Sequence, residues 1–344
     1  MTTGSGTAAT PTHVRGRLLG WTALFGAIAL ATVVAAPLFG TTRISLARAL
    51  DSSLPFVDNI DAQIFFIARL PRVVAAVLVG ASLAAAGVVF QALLRNPLAT
   101  PFTLGVSAGA ALGAMLAMSF RLHISVLGVS AVTAASFGGS LTAVGIVYAL
   151  ARARQRGFST NVLLLAGVTL NSFFSALILL VQYLSDASEA LRAVRWLMGD
   201  LDVSSYGPVL AALPLLAVAG FAFAWLPRAL NLLSLDADAA ASRGVNVVRV
   251  QQLSFFSASL ATGAAVSLGG PIGFIGIIVP HLVRLIVGSD HRIVLPASAL
   301  FGAAFLVMCD LVARMVMAPV ELPVGIVTAV IGGPFFLWLL IRQR

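Results

Sequence analysis

Lysine is absent: all 21 basic residues of the 344-residue chain are arginine. Without lysine there is no phosphate-binding loop of the GxxxxGK[ST] kind, so no ATP hydrolysis through that motif, and no lysine Schiff base. A single cysteine, Cys309, excludes an internal disulfide and a thiolate cluster for a metal. Its place in an apolar run makes it a packing residue. The four histidines, His13, His123, His281 and His291, are scattered and have no metal-ligand spacing. No nucleophile–base set is visible either, which removes the usual grounds for a membrane enzyme. Charge is also scarce, at 10% of residues against 60% hydrophobic. A soluble domain needs about 25% charged residues to cover its surface. This surface must therefore face lipid. The net charge of +9 is no argument for nucleic acid, because arginines in so apolar a chain mark cytoplasmic loops.

What is present is a series of apolar runs. A bilayer core of about 30 Å takes about 20 apolar residues as helix. Clear candidates are Leu18–Phe39, Val73–Leu94, Phe102–Phe120, Ser125–Leu150, Val162–Val181, Pro208–Leu226, Val294–Met317 and Leu322–Ile341. Two shorter runs, Leu253–Leu268 and Ile272–Val287, are separated by Gly269, Gly270 and Pro271. This predicts an all-α, polytopic membrane protein of ten helices, with 1–17 as a cytoplasmic segment and 18–344 as one transmembrane domain. The first run is longer than the 7–15-residue apolar core of a signal peptide and is read as retained. Ten spans put both termini on one side. If that side is the cytoplasm, 13 arginines lie inside and 8 outside, the sign the positive-inside rule requires. Arg69, Arg72 and Arg314 then stand on the disfavoured side and need a separate reason. Gly105, Gly109 and Gly113 form a GxxxGxxxG face suited to close helix packing.

Three constellations could carry function. Asn171, Ser175 and Gln182 lie along one helix face. Polar groups at bilayer depth must face protein or water, so they either line a pathway or hydrogen-bond between helices. Asp310 precedes Arg314 by four residues and shares its helix face. The two read either as a structural ion pair or, for Asp310, as a proton-coupling carboxylate. The stretch "LSLDADAAASRGVNVVRV" reads as a short polar helix, with Asp236 as its N-cap and Gly244 as its stop.

Taken in order, several motifs resemble the permeases of type II ABC importers for iron–siderophore, haem and cobalamin. They are "RLPR" (69–72), "QALLRNPLATPFTLGVSAGAALGA" (91–114), "LLLAGV" (163–168), "WLMGDL" (196–201), "GPIGFIGIIVPHLVRLIVGSDHR" (270–292), "DLVAR" (310–314) and "ELPVGIVTAVIGGPFFLWLL" (321–340). The resemblance implies a homodimer of ten-helix subunits in the bacterial inner membrane, with its pathway between the copies. It also implies two ABC ATPase subunits, which carry ATP and Mg while this chain binds no cofactor, and a periplasmic or lipid-anchored substrate-binding protein. Positions matching Arg69, Arg72 and Arg314 face that binding protein in the family. Leu235, Asp236, Asp238, Ala240, Arg243 and Gly244 fall on the segment that couples to the ATPase. Asn96, Leu98, Thr160 and Asn161 fall on the cytoplasmic gate. The chain departs from the pattern at Asp236, where glycine is usual, at Arg243, where an apolar residue is common, and at Asn161, where a small hydroxyl is common. Among cargoes the resemblance favours an iron–siderophore, then haem or cobalamin. A proton-coupled transporter using Asp310 is the competing expectation.

Overall fold

A computed structural model describes residues 11–122, 124–126, 129–153, 160–203 and 205–342. The chain enters as α1 (Pro11–Ala35) and a 3-10 turn (Ala36–Leu38), then passes through two single-turn helices, α2 (Leu46–Ala49) and α3 (Ile60–Gln63). A π-helical turn at Ile64–Arg69 joins α3 to α4 (Leu70–Leu94), so that 60–94 is one continuous helix. Pro71 explains the turn: its ring offers no N–H and crowds the preceding carbonyls, and widening the helix just before it relieves both. Arg69 and Arg72 flank this distortion.

Arg95 ends α4 in the left-handed conformation, and Asn96 Oδ1 accepts from Leu98 N at 2.9 Å to turn the chain. The run expected as one helix from Phe102 is in fact split. A 3-10 turn (Pro101–Leu104), capped by Thr100, meets α5 (Val106–Ser119) at Gly105, whose φ of +76° suits glycine. Likewise the run expected from Ser125 begins with a two-residue antiparallel pair, Ser125–Val126 with Val129–Ser130, before α6 (Ala131–Ala153). There follow α7 (Thr160–Leu184), α8 (Ala187–Leu197), α9 (Gly207–Trp225), α10 (Pro227–Leu233) and α11 (Ala237–Ser242). The chain closes with α12 (Val247–Gly269), α13 (Ile275–Val287), α14 (His291–Met315) and α15 (Val324–Arg342).

Six described helical stretches have the length and apolarity to cross a membrane: Gly16–Leu38, Ile60–Leu94, Ala131–Ala153, Asn161–Leu184, Gly207–Trp225 and His291–Met315. Shorter apolar helices are Val106–Ser119, Ile275–Val287 and Val324–Leu339. The GGP break between Leu268 and Ile272 is real, since α12 stops at Gly269 and α13 starts at Ile275.

The centre of the molecule is α4, packed by α12, α13 and α14. Small residues make this possible. A Cβ on Gly80 would lie 2.3 Å from the Gly302 carbonyl oxygen, and one on Gly87 would lie 2.1 Å from that of Gly276. Backbones that close leave no room for any other residue, and van der Waals contact, unlike the hydrophobic effect, still works inside lipid. The glycine face of α5 acts the same way, with Gly109 against Gly139 and Gly113 against Ala135 on α6.

Candidate functional site: two charged ends and a polar face

At one end of the bundle the three arginines converge. Asp310 on α14, whose side chain is 1% exposed, sits between two of them. Arg72 Nε donates to its Oδ1 at 2.8 Å, and Arg314 Nε stands 3.1 Å from Oδ2. Arg72 reaches further to Glu321 Oε2 at 2.5 Å. Arg69 donates to the carbonyls of Pro37 (2.8 Å) and Thr42, fastening the segment that follows α1. All three arginines are buried as residues, yet all three line one cavity of about 310 Å³ together with Asp202 and Glu321. Arg72 Nη2 and Arg314 Nη2 are buried there and make no hydrogen bond with the described residues. Buried guanidinium nitrogens normally find partners, and here Arg314 Nε and Asp310 Oδ2 also lack a hydrogen bond among the described residues. Burial pushes the nearby Asp200 carboxyl up, against the opposing charge of Arg72.

Sequence reasoning paired Asp310 with Arg314 alone and missed Arg72, 238 residues away, as the better-aligned partner. It also missed a second cluster of charged groups. Arg121, after α5, binds Asp186 at 2.5 Å and also Glu189, both at the start of α8. The acidic start of α8 was visible locally, but Arg121 lies 65 residues earlier, and nothing in the sequence pairs the two.

The opposite end carries the short α11. Asp236 Oδ2 accepts from Asp238 N at 3.2 Å as its N-cap, and Gly244 ends the turn at φ +81°. The Ala237 amide and its successors hold the Asp236 carboxyl below the usual carboxylate range. Ala240 is fully buried, whereas Leu235, Asp236, Asp238, Arg243 and Gly244 are exposed. Arg95 adds an ion pair to Asp236 at 3.6 Å, tying α11 to the end of α4. Asn96 is half-buried in a cleft of about 300 Å³ that also takes in Arg95, Ser234, Arg284 and His291. Leu98 and Asn161 are exposed; the side chain of Thr160 lies outside the described residues, as do Arg154 and Arg156.

Behind Asn96 two sets of polar contacts lie across four elements. Arg284 Nη1 donates to Gln91 Oε1 at 2.6 Å, and Gln91 Nε2 donates to the Gly276 carbonyl at 3.0 Å. Asn231 on α10 bonds both Asp290 and the His291 ring, each at 2.7 Å. The forked Arg292–Asp290 pair belongs to this second set.

Between the ends lies α7. It buries Leu163, Ala166, Phe174 and Ile178, and exposes Asn171 and Ser175, with Gln182 half-buried. Exposed amide and hydroxyl groups on a membrane-crossing helix are costly against lipid. This face therefore belongs against protein or water.

The FecCD transport family model matches residues 28–342. The chain is 41% identical over 278 residues to the hemin transport system permease protein HmuU of Yersinia pestis, covering 80% of this chain and 82% of that one. It is 45% identical over 276 residues to the cobalamin import system permease protein BtuC of Halobacterium salinarum, covering 80% and 72%. Among solved structures, an inward-facing ABC transporter of the metal-chelate type superposes with a TM-score of 0.81 at 33% identity, covering 94% of this chain and 98% of that one. With its buried glycine-packed core and its apolar helices, the chain is a multi-pass membrane permease of the FecCD transport family.

Proposed function

We propose that the chain is the permease subunit of an ABC importer that moves a metal chelate inward across the bacterial inner membrane. It forms a homodimer of ten-helix subunits, residues 18–344 being one transmembrane domain and both termini cytoplasmic. The exposed polar face of α7, with Asn171, Ser175 and Gln182, lines the pathway where the copies meet. Two ABC ATPases carry ATP and Mg and dock on Leu235–Gly244, moving the gate at Asn96, Leu98, Thr160 and Asn161. This chain hydrolyses nothing and holds no cofactor of its own. A periplasmic or lipid-anchored binding protein docks at Arg69, Arg72 and Arg314. Iron–siderophore is the first cargo to test, followed by haem and cobalamin, the two that the names of the relatives above carry.

The observation that carries the docking reading is the pair of buried donors, Arg72 Nη2 and Arg314 Nη2, at a cavity. A glutamate from the binding protein entering that cavity would satisfy both, and charge-assisted bonds of this kind are the strong ones. Such contacts steer approach and set orientation. Native mass spectrometry of the complex from its own host's membranes tests the whole reading. Two copies with two ATPases and a loaded binding protein are expected, and the ligand mass identifies the cargo. A chain that emerges without an ATPase from membranes that still transport would overturn it.

A further inference from the structure

α1 packs on α14, and α9 packs on α12 and α4. Between α1 and α9 lies an apolar crevice of about 540 Å³. Leu18 lines one wall, Gly220 and Phe223 the other, and Leu295 and Ala299 the back, with Ala85 of α4 as the floor. A Cβ placed on Gly220 would meet nothing within 4 Å, so no neighbour fills the wall at that point. The one polar group inside is Thr22, whose hydroxyl is buried without a partner among the described residues.

The mouth of the crevice has the opposite character. Arg292 lines it from the second position of α14. Pro227 lines it from the start of α10, and the exposed Arg228 comes next. Arg17, at the start of the α1 crossing, donates to the Val287 carbonyl at 2.8 Å just before α14 begins. Three arginines from three elements therefore stand on or next to lining residues: Arg292 itself, Arg228 beside Pro227 and Arg17 beside Leu18. Asp290 offsets only Arg292, and among the described residues no carboxylate pairs with Arg17 or Arg228.

An apolar slot with a cationic collar and a lone hydroxyl one turn in matches one chemistry: a phosphodiester head, an ester linkage and an acyl chain. We propose that this crevice is a binding site for an anionic phospholipid, with the chain between α1 and α9 and the phosphate on Arg17, Arg228 and Arg292. The site lies apart from α7 and from the arginine end, while its Arg292 also pairs with Asp290 in the polar contacts behind Asn96. It rests on the membrane reading of the chain and not on which cargo it carries.

The test is native mass spectrometry of the purified full chain in mixed micelles of equimolar phosphatidylcholine and phosphatidylglycerol. The wild type should retain phosphatidylglycerol in preference. One arginine near a membrane surface contributes about 1 kcal/mol towards an anionic lipid, or about fivefold. Arg17→Gln, which keeps an N–H for Val287, and Arg228→Gln should each reduce the preference by about that factor while total bound lipid persists. Gly220→Leu puts a side chain into the crevice where an added Cβ meets nothing within 4 Å, and it should release both lipids. Equal retention of the two lipids by the wild type would overturn the proposal. So would a preference indifferent to both arginine variants, retention unchanged in Gly220→Leu, or displacement of the lipid by inorganic phosphate alone.

Discussion

Removing the Asp310 carboxylate exposes the logic of the arginine end. Its side chain is 1% exposed and holds Arg72 at 2.8 Å and Arg314 at 3.1 Å. Asp310→Leu leaves two buried guanidinium groups with Glu321, which is 42% exposed, as the remaining acid beside Arg72. Breaking a buried pair by deleting one partner costs about 3–5 kcal/mol, mostly because a charge stays buried and unpaired. Replacing both partners by apolar residues of similar size is often neutral or stabilising. Asp310→Leu should therefore lose about 3–5 kcal/mol, and the double variant Asp310→Leu/Arg314→Met should recover at least about 1 kcal/mol of it, with Arg72 still held by Glu321. The assay is a double-mutant cycle on the purified chain, read by thermal unfolding followed on a sizing column. Additive effects, or a single variant within about 0.5 kcal/mol of wild type, would refute the coupling. Uptake per folded complex in Asp310→Asn separates the mechanisms: ATP-dependent, protonophore-insensitive transport is expected, and a proton-coupled carrier would be uncoupled instead.

Gly113→Val should abolish folded yield, since a Cβ at Gly113 would stand 2.1 Å from the Ala135 carbonyl oxygen on a backbone that cannot move away; normal yield would refute the α5–α6 contact. Asp236→Ala removes the N-cap of α11 and its ion pair with Arg95, which should loosen α11 locally and weaken ATPase co-purification, whereas Asp236→Asn should keep most of the cap. Burial disfavours the Asp290 carboxylate, but Arg292 and Asn231 outweigh it and hold the group down to about 2. A depressed carboxylate contributes stability above its unfolded value and loses it as pH falls through the folded one. The destabilisation by Asp290→Asn should thus be full near neutral pH and fade between about pH 4 and 2 in acid unfolding curves. Asn171→Leu with Ser175→Leu should leave folding intact, because both are exposed on α7, and lower uptake; unchanged uptake would place the pathway elsewhere.

What the sequence made legible was whatever is local. The Asp236 cap, the Gly244 stop, the GGP break and the i,i+4 pair Asp310–Arg314 all follow from residues within a few positions of each other, where backbone geometry leaves little choice. The glycine face of α5 was legible as a packing surface at Gly109 and Gly113, because a bare backbone at that spacing has one evident use. Gly105 was misread, since the same spacing hides a φ of +76° that opens α5 only after a 3-10 turn. Asp310 shows where local reading stops. Its aligned partner, Arg72, comes from α4, and nothing within the "RLPR" motif specifies that α4 and α14 meet. That meeting depends on Gly80 and Gly302, each unremarkable in an apolar run until their backbones touch. The same holds for the crevice between α1 and α9. Leu18, Gly220 and Ala299 carry no signal singly, and a cavity is a property of helices that fail to touch. Charge marks where this chain can bind, but the spacing of its helices decides what fits there.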